Sequence, residues 1–203
     1  ISSTILDNGT IVRAKLYFST NNGASYDSTN LVNTTGTTWA ATVGPYPDLT
    51  DLDYNLQVTD NDGFRGRAPA AGNYDLFVGL RTIQTVQSTF KVGGADSSFY
   101  SDQPVNVAGI VTMAPGTIAD NLFAIQNHWT TDPQYRGIQV YSGGSLAGVL
   151  QLGDSVAVCG DVNEGFGLTE VRMHFTDAYH NYGQVGELQG YVLNTSSFPP
   201  DSI

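Results

Sequence analysis

The chain has 203 residues, 40% of them hydrophobic and only 13% charged, with a formal net charge of −11 and one cysteine. That length can bury one large core or two small ones. No apolar run approaches the ~18–20 residues of a membrane span, one cysteine excludes an internal disulfide framework, and the acidic balance opposes nucleic acid and anionic lipid, which bind basic side chains.

Lysine occurs only at Lys15 and Lys91, and solubility rests on Asn, Ser, Thr, Asp and Gly. This polar-neutral composition predicts an extracellular or cell-surface protein. Ile1 in place of an initiator methionine, and the proline-rich end "SFPPDSI", read as a processed or excised segment of something longer.

Helix signals are nearly absent, while strand signals recur every 8–12 residues or so, the spacing of a sandwich or barrel. In chain order they are "TIVRAKLYFST" (10–20), "TTWAATVG" (37–44), "DYNLQVTD" (53–60) and "YDLFVGL" (74–80). There follow "PVNVAGIVTMA" (104–114), "NLFAIQN" (121–127), "RGIQVYS" (136–142), "DSVAVCGDV" (154–162) and "LTEVRMHF" (168–175). In the first, Val12, Ala14, Leu16 and Phe18 share one face and Arg13, Lys15 and Tyr17 the other, a half-buried antiparallel strand. "STNNGAS" and "TDNDGFRG" supply the Asn-Gly and Asp-Gly steps of tight hairpins.

A boundary is expected near residues 80–84, giving an all-β chain with one module over 1–82 and a second over 83–203. The first half, with "STNNGASY" and "YNLQVTDNDG", resembles small bacterial immunoglobulin-like β-sandwiches. It has no Cys–Trp–Cys core, so Trp39 is expected to anchor it alone. The second half carries "VNVAGIVTM", "FAIQN", "GIQVYSG" and "LQLGDSVAVCGDVNEGFGLTEV", with a Gly-broken segment (143–154) before the fourth strand. On these strings residues 83–175 resemble the OB-fold domain attached to secreted bacterial nucleases and other multidomain surface proteins. The resemblance implies a five-stranded Greek-key barrel but no particular chemistry, because the barrel is a platform.

Cys159 alternates with Val156 and Val158 and has no local base or helix terminus to form thiolate, so it reads as a small packing side chain. His174, Asp177 and His180 are spaced by three, without the tighter ligand set of a zinc motif. The OB resemblance directs attention to the second and third barrel strands and their loop. There Phe123, Trp129, Tyr135 and Tyr141 form a candidate stacking platform for bases or sugars. Lys91, Arg136 and Arg172 stand against eleven acidic residues over 83–203, which opposes nucleic acid and leaves open sugar stacking or plain packing of these aromatics in the barrel or against a neighbour.

Asp48, Asp51, Asp53, Asp60 and Asp62 are candidate calcium ligands near the sandwich ends, although "DNDG" lacks an EF-hand's downstream glutamate. No other cofactor is expected. There is no G-x-S-x-G elbow, H-E-x-x-H pair or phosphate-cradling glycine loop, so the chain reads as non-enzymatic. The leading expectation is a structural, self-assembling subunit of a surface layer, filament or adhesin. "ISSTILDNGT", with Ile1, Ile5 and Leu6, would be its donor strand for pairing with a neighbouring copy or domain. The alternative is an accessory glycan- or single-strand-binding module of a secreted nuclease or glycan-degrading enzyme.

Overall fold

A computed structural model describes residues 1–92, 95–127, 135–165, 167–176, 178–186 and 188. The first half holds β1 (Ser2–Thr4), β2 (Ile11–Ser19), β3 (Asp27–Asn30), β4 (Val32–Thr35), β5 (Thr38–Ala40), β6 (Asp51–Asp60), β7 (Arg65–Ala68) and β8 (Tyr74–Phe77). They form two antiparallel sheets, one ordered β1-β5-β4 and one ordered β3-β2-β6-β7, in which β8 also pairs with β6. Between them lies a small core of Ala14, Leu16, Leu31, Ala41 and Leu56, against which Ile1, Ile5, Trp39, Tyr54 and Val58 pack. Val12, expected on the inner face, is 62% exposed. The β2–β6 register shifts between Ile11 and Arg13, and such an irregularity re-aims the side chains beside it.

The connection between the halves is itself structured. β9 (Leu80–Arg81) lies parallel to β12 (Pro104–Met113), pairing Leu80 with Asn106 and Arg81 with Val107. The chain then enters the short helix α1 (Ile83–Gln87), whose N-cap Thr82 hydroxyl accepts from the Thr85 N–H at 3.1 Å. Ile83 and Val86 point from this helix into the second core and are fully buried. A two-stranded hairpin, β10 (Thr89–Val92) and β11 (Ala95–Ser98), follows.

The expected five-stranded barrel is present and closed. β12 pairs with β13 (Leu122–Gln126), β13 with β14 (Gly137–Tyr141), and β14 runs parallel to β16 (Leu168–Met173). β16 pairs with β15 (Asp154–Gly165), and β15 returns to β12. The order around the barrel is therefore first, second, third, fifth, fourth, first. β12 pairs with both neighbours, and at Gly109 a Cβ would sit 2.9 Å from the Gln126 carbonyl oxygen. A further strand, β17 (Tyr179–Gln184), extends the sheet along β15.

Period-two alternation in β12 to β16 sends one face inward, and among the described residues the resulting core holds sixteen buried residues against five in the first half. At roughly 1.5–3 kcal/mol for each large apolar side chain, the barrel dominates the stability of the chain. α1 stoppers one end, where the Gln87 side chain donates to the Gly137 carbonyl. Leu146 and Leu150 fill the other, held there by the Leu146 N–H donating to the Asp120 carbonyl at 2.9 Å. These two leucines come from the Gly-broken segment.

Candidate functional site on the outer face of the barrel

Register fixes what the outer face presents. Tyr141 lies opposite Leu122 on one side and Arg172 on the other, and Arg172 lies opposite Asp161. One step along, Gln139 is flanked by Ala124 and Glu170, and Glu170 by Asn163. Glu170 Oε1 accepts from Arg172 Nε at 2.8 Å and from Asn163 Nδ2 at 3.1 Å. The tyrosine ring, 40% exposed, thus stands beside a row of amide, carboxylate and guanidinium groups fixed by one another. Tyr135 is 60% exposed at the entry to β14. Phe123 does not belong to this platform: it is fully buried, because its position in β13 faces inward with Ile125. Trp129 lies outside the described residues.

At the end of the same face β15 exchanges one partner for another. β16 leaves it at Gly160 and β17 joins it at Val158. Cys159 occupies the gap, half-buried on the outer side rather than enclosed in the core. Its Sγ lies 3.8 Å from His174 Nδ1, and His174 Nε2 lies 2.9 Å from Asp161 Oδ1. A carboxylate only accepts, so His174 Nε2 donates to Asp161. Burial pushes the Cys159 thiol up, and the charges of Asp161 and Asp51 push it further. The nucleophilic form is the thiolate, and this setting holds the protonated form instead. Beside His174 an open cleft of about 800 Å³ is lined by Leu146, Val149, Met173, Phe175 and Tyr179.

The two halves meet along β17 and β12. His180 Nε2 donates to Asp51 Oδ1 at 2.8 Å, and its ring lies 4.2 Å from that of Phe77. Asn106 donates through Nδ2 to the Val78 carbonyl at 2.9 Å, while its Oδ1 is buried without a partner. Tyr182 is pushed up to about 12, by burial first and then by Asp51, Asp75 and Tyr54.

Asp53 faces Asp75 across the β6–β8 pair. Its carboxyl is pushed up to about 6 by burial, then by the hydrogen bond and charge of Asp75 and by Asp51, with His180 pulling the other way. The folded chain therefore holds a proton there that the unfolded chain releases. The associated stability is complete below the ordinary carboxylate value and is lost as pH rises through about 6. Asp53→Asn is expected to raise the melting temperature near neutral pH by about 2–4 °C, the equivalent of ~1 kcal/mol after solvent screening. Below about pH 4 the gain should vanish, and melting curves across the acid range will check both parts.

The aspartates proposed as calcium ligands are dispersed. Asp48 pairs with Arg81 at 2.7 Å and Asp51 with His180. Asp60 is buried, accepting from the Asp62 and Phe64 N–H groups at 2.9 and 2.8 Å in the β6–β7 turn. Among the described residues no group of three or more His, Cys, Asp or Glu side chains is arranged to hold a metal ion.

The stretch proposed as a donor strand is used within its own chain. β1 pairs Ser2 with Ala40 and Thr4 with Thr38, and the Ile5 N–H donates to the Thr37 carbonyl at 2.9 Å. Ile1 and Ile5 pack on the core, whereas Leu6 is 78% exposed.

No protein-family model, no curated protein and no solved structure matches the chain.

Proposed function

We propose that the chain is a non-catalytic binding module of an extracellular multidomain protein, an immunoglobulin-like sandwich joined to an OB-fold barrel. The barrel's outer face would take a polyhydroxylated ligand, a glycan. The strand order, with the third strand parallel to the fifth, supports the OB assignment. Two antiparallel sheets around a core bordered by Trp39 support the sandwich.

The observation that carries the glycan reading is the half-exposed Tyr141 ring beside Arg172, Glu170, Gln139 and Asn163. A sugar offers an apolar C–H face to an aromatic ring and hydroxyls to planar polar groups. Arg172 is neutralised by Glu170, so the face gives phosphates little attraction. A role as a structural subunit draws on the fixed connection between the halves and loses the N-terminal stretch as donor.

Calorimetric titration with neutral oligosaccharides tests the glycan reading. Tyr141→Ala is expected to weaken binding about tenfold, the loss that removing an aromatic anchor brings, and added salt should leave the wild-type affinity unchanged. Equal affinity in the variant, or no neutral glycan bound by the wild type, refutes it.

A further inference from the structure

Three strands of the larger N-terminal sheet place their outward residues in two rows. Arg13 lies opposite Thr59, and Thr59 opposite Arg65; Lys15 lies opposite Gln57, and Gln57 opposite Arg67. Neighbouring strands are about 4.8 Å apart and alternate residues about 7 Å along a strand. The Cα positions of the four basic residues therefore mark the corners of a patch roughly 10 by 7 Å, with polar Gln57 and Thr59 along its middle. An open cleft of about 430 Å³ is lined by Arg13, Arg65 and Arg67 together with Gln57, Thr59 and the Tyr17 phenol, and no carboxylate lines it; Lys15 stands at its edge and turns to Ser28.

Charge sets this patch apart. It gathers four of the eight lysines and arginines of a chain whose net charge is −11. Among the described residues none of the four makes an ion pair. Arg13 donates to the Tyr17 hydroxyl at 3.2 Å, Lys15 to Ser28 at 3.3 Å, and Arg67 to the Pro69 and Gly72 carbonyls. The Arg65 side chain makes no hydrogen bond or ion pair among the described residues. Like charges gathered on one sheet face repel, and a bound anion relieves that repulsion.

We propose that this cleft binds an oxyanion of an acidic glycan, a sulfate ester or a uronate carboxylate. Guanidinium groups suit such oxygens because they donate in a planar fork. Duplex DNA carries a charge every ~1.7 Å, so a nucleic acid longer than the patch would run onto surface that is acidic on balance. A glycan charged once or twice per disaccharide seats one anion here and offers hydroxyls to Gln57, Thr59 and Tyr17. Choosing a glycan as the carrier rests on the binding role proposed above; the oxyanion site itself does not.

The test uses the full chain in calorimetric titration with four probes: sodium sulfate, a heparin-derived tetrasaccharide, a tetragalacturonate, and an oligothymidylate of matched charge. One or both acidic oligosaccharides should bind more tightly than the oligothymidylate, and rising salt should weaken the complex. Arg13→Gln and Arg65→Gln, both at exposed positions, should each lower affinity about tenfold, with Arg65→Lys recovering part of it and unchanged melting temperatures confirming the fold. Tyr141→Ala should leave this binding intact, so the two sites fail or stand separately. Preference for the oligothymidylate, a response to sodium sulfate alone, or full binding by the Arg13→Gln/Arg65→Gln double variant overturns the proposal.

Discussion

Replacing Phe123 by alanine is expected to cost about 3–5 kcal/mol, the range for deleting a fully buried aromatic side chain. Phe123 has no exposed surface and lies opposite Val140 in a core that also holds Ile125, Ile138 and Val171. The cavity would be left in the middle of the barrel, where closed strands have little room to collapse onto it. Domains of this kind hold about 5–15 kcal/mol in total, so the variant should unfold at a much lower denaturant concentration with a similar slope. The outcome discriminates between two roles. A platform residue on the outer face would change stability by less than about 0.5 kcal/mol, and Tyr141→Ala serves as that comparison.

Gly160→Ala should cost about 1–3 kcal/mol, the range for overpacking, although it adds one methyl group. That methyl would overlap the Arg172 carbonyl and crowd Met173 Cα at 2.8 Å. Those are backbone atoms of the strand paired with Gly160, so no side chain can rotate aside. The melting temperature should fall by about 2–12 °C in a chain of this size. Gly137→Ala is the control: its methyl would meet only the Ile125 carbonyl oxygen at 3.8 Å, an ordinary contact. If both variants melt alike, β15 and β16 do not approach as closely at this point as the structure has them.

The barrel strands were legible because each alternates apolar residues through a buried face, as Val105 and Val107, Phe123 and Ile125, and Ile138 and Val140 do. The edge strands β3 "DSTN", β4 "VNTT" and β7 "RGRA" carry almost no apolar signal, since they have little core to face. The cationic cleft is illegible for that reason: alternation puts Arg13 and Lys15 on one face, but nothing in "RGRA" marks β7 as the strand that brings Arg65 and Arg67 opposite.

The outer-face thiol was half legible. Alternation put Cys159 and Asp161 together away from Val156 and Val158, which is correct, but it could not say what covered them. The β15–β16 hairpin could have, since pairing Gly165 with Leu168 and counting back brings Met173 to Gly160 and His174 beside Cys159. The pairing of His180 with Asp51 spans 129 positions and leaves no local trace.

The parallel pairing of Leu80 and Arg81 with Asn106 and Val107, followed at once by the helix that closes the barrel, has a mechanical consequence. Tension drawing the first half away along the strand direction loads those backbone bonds side by side, so they must yield together rather than peel in turn.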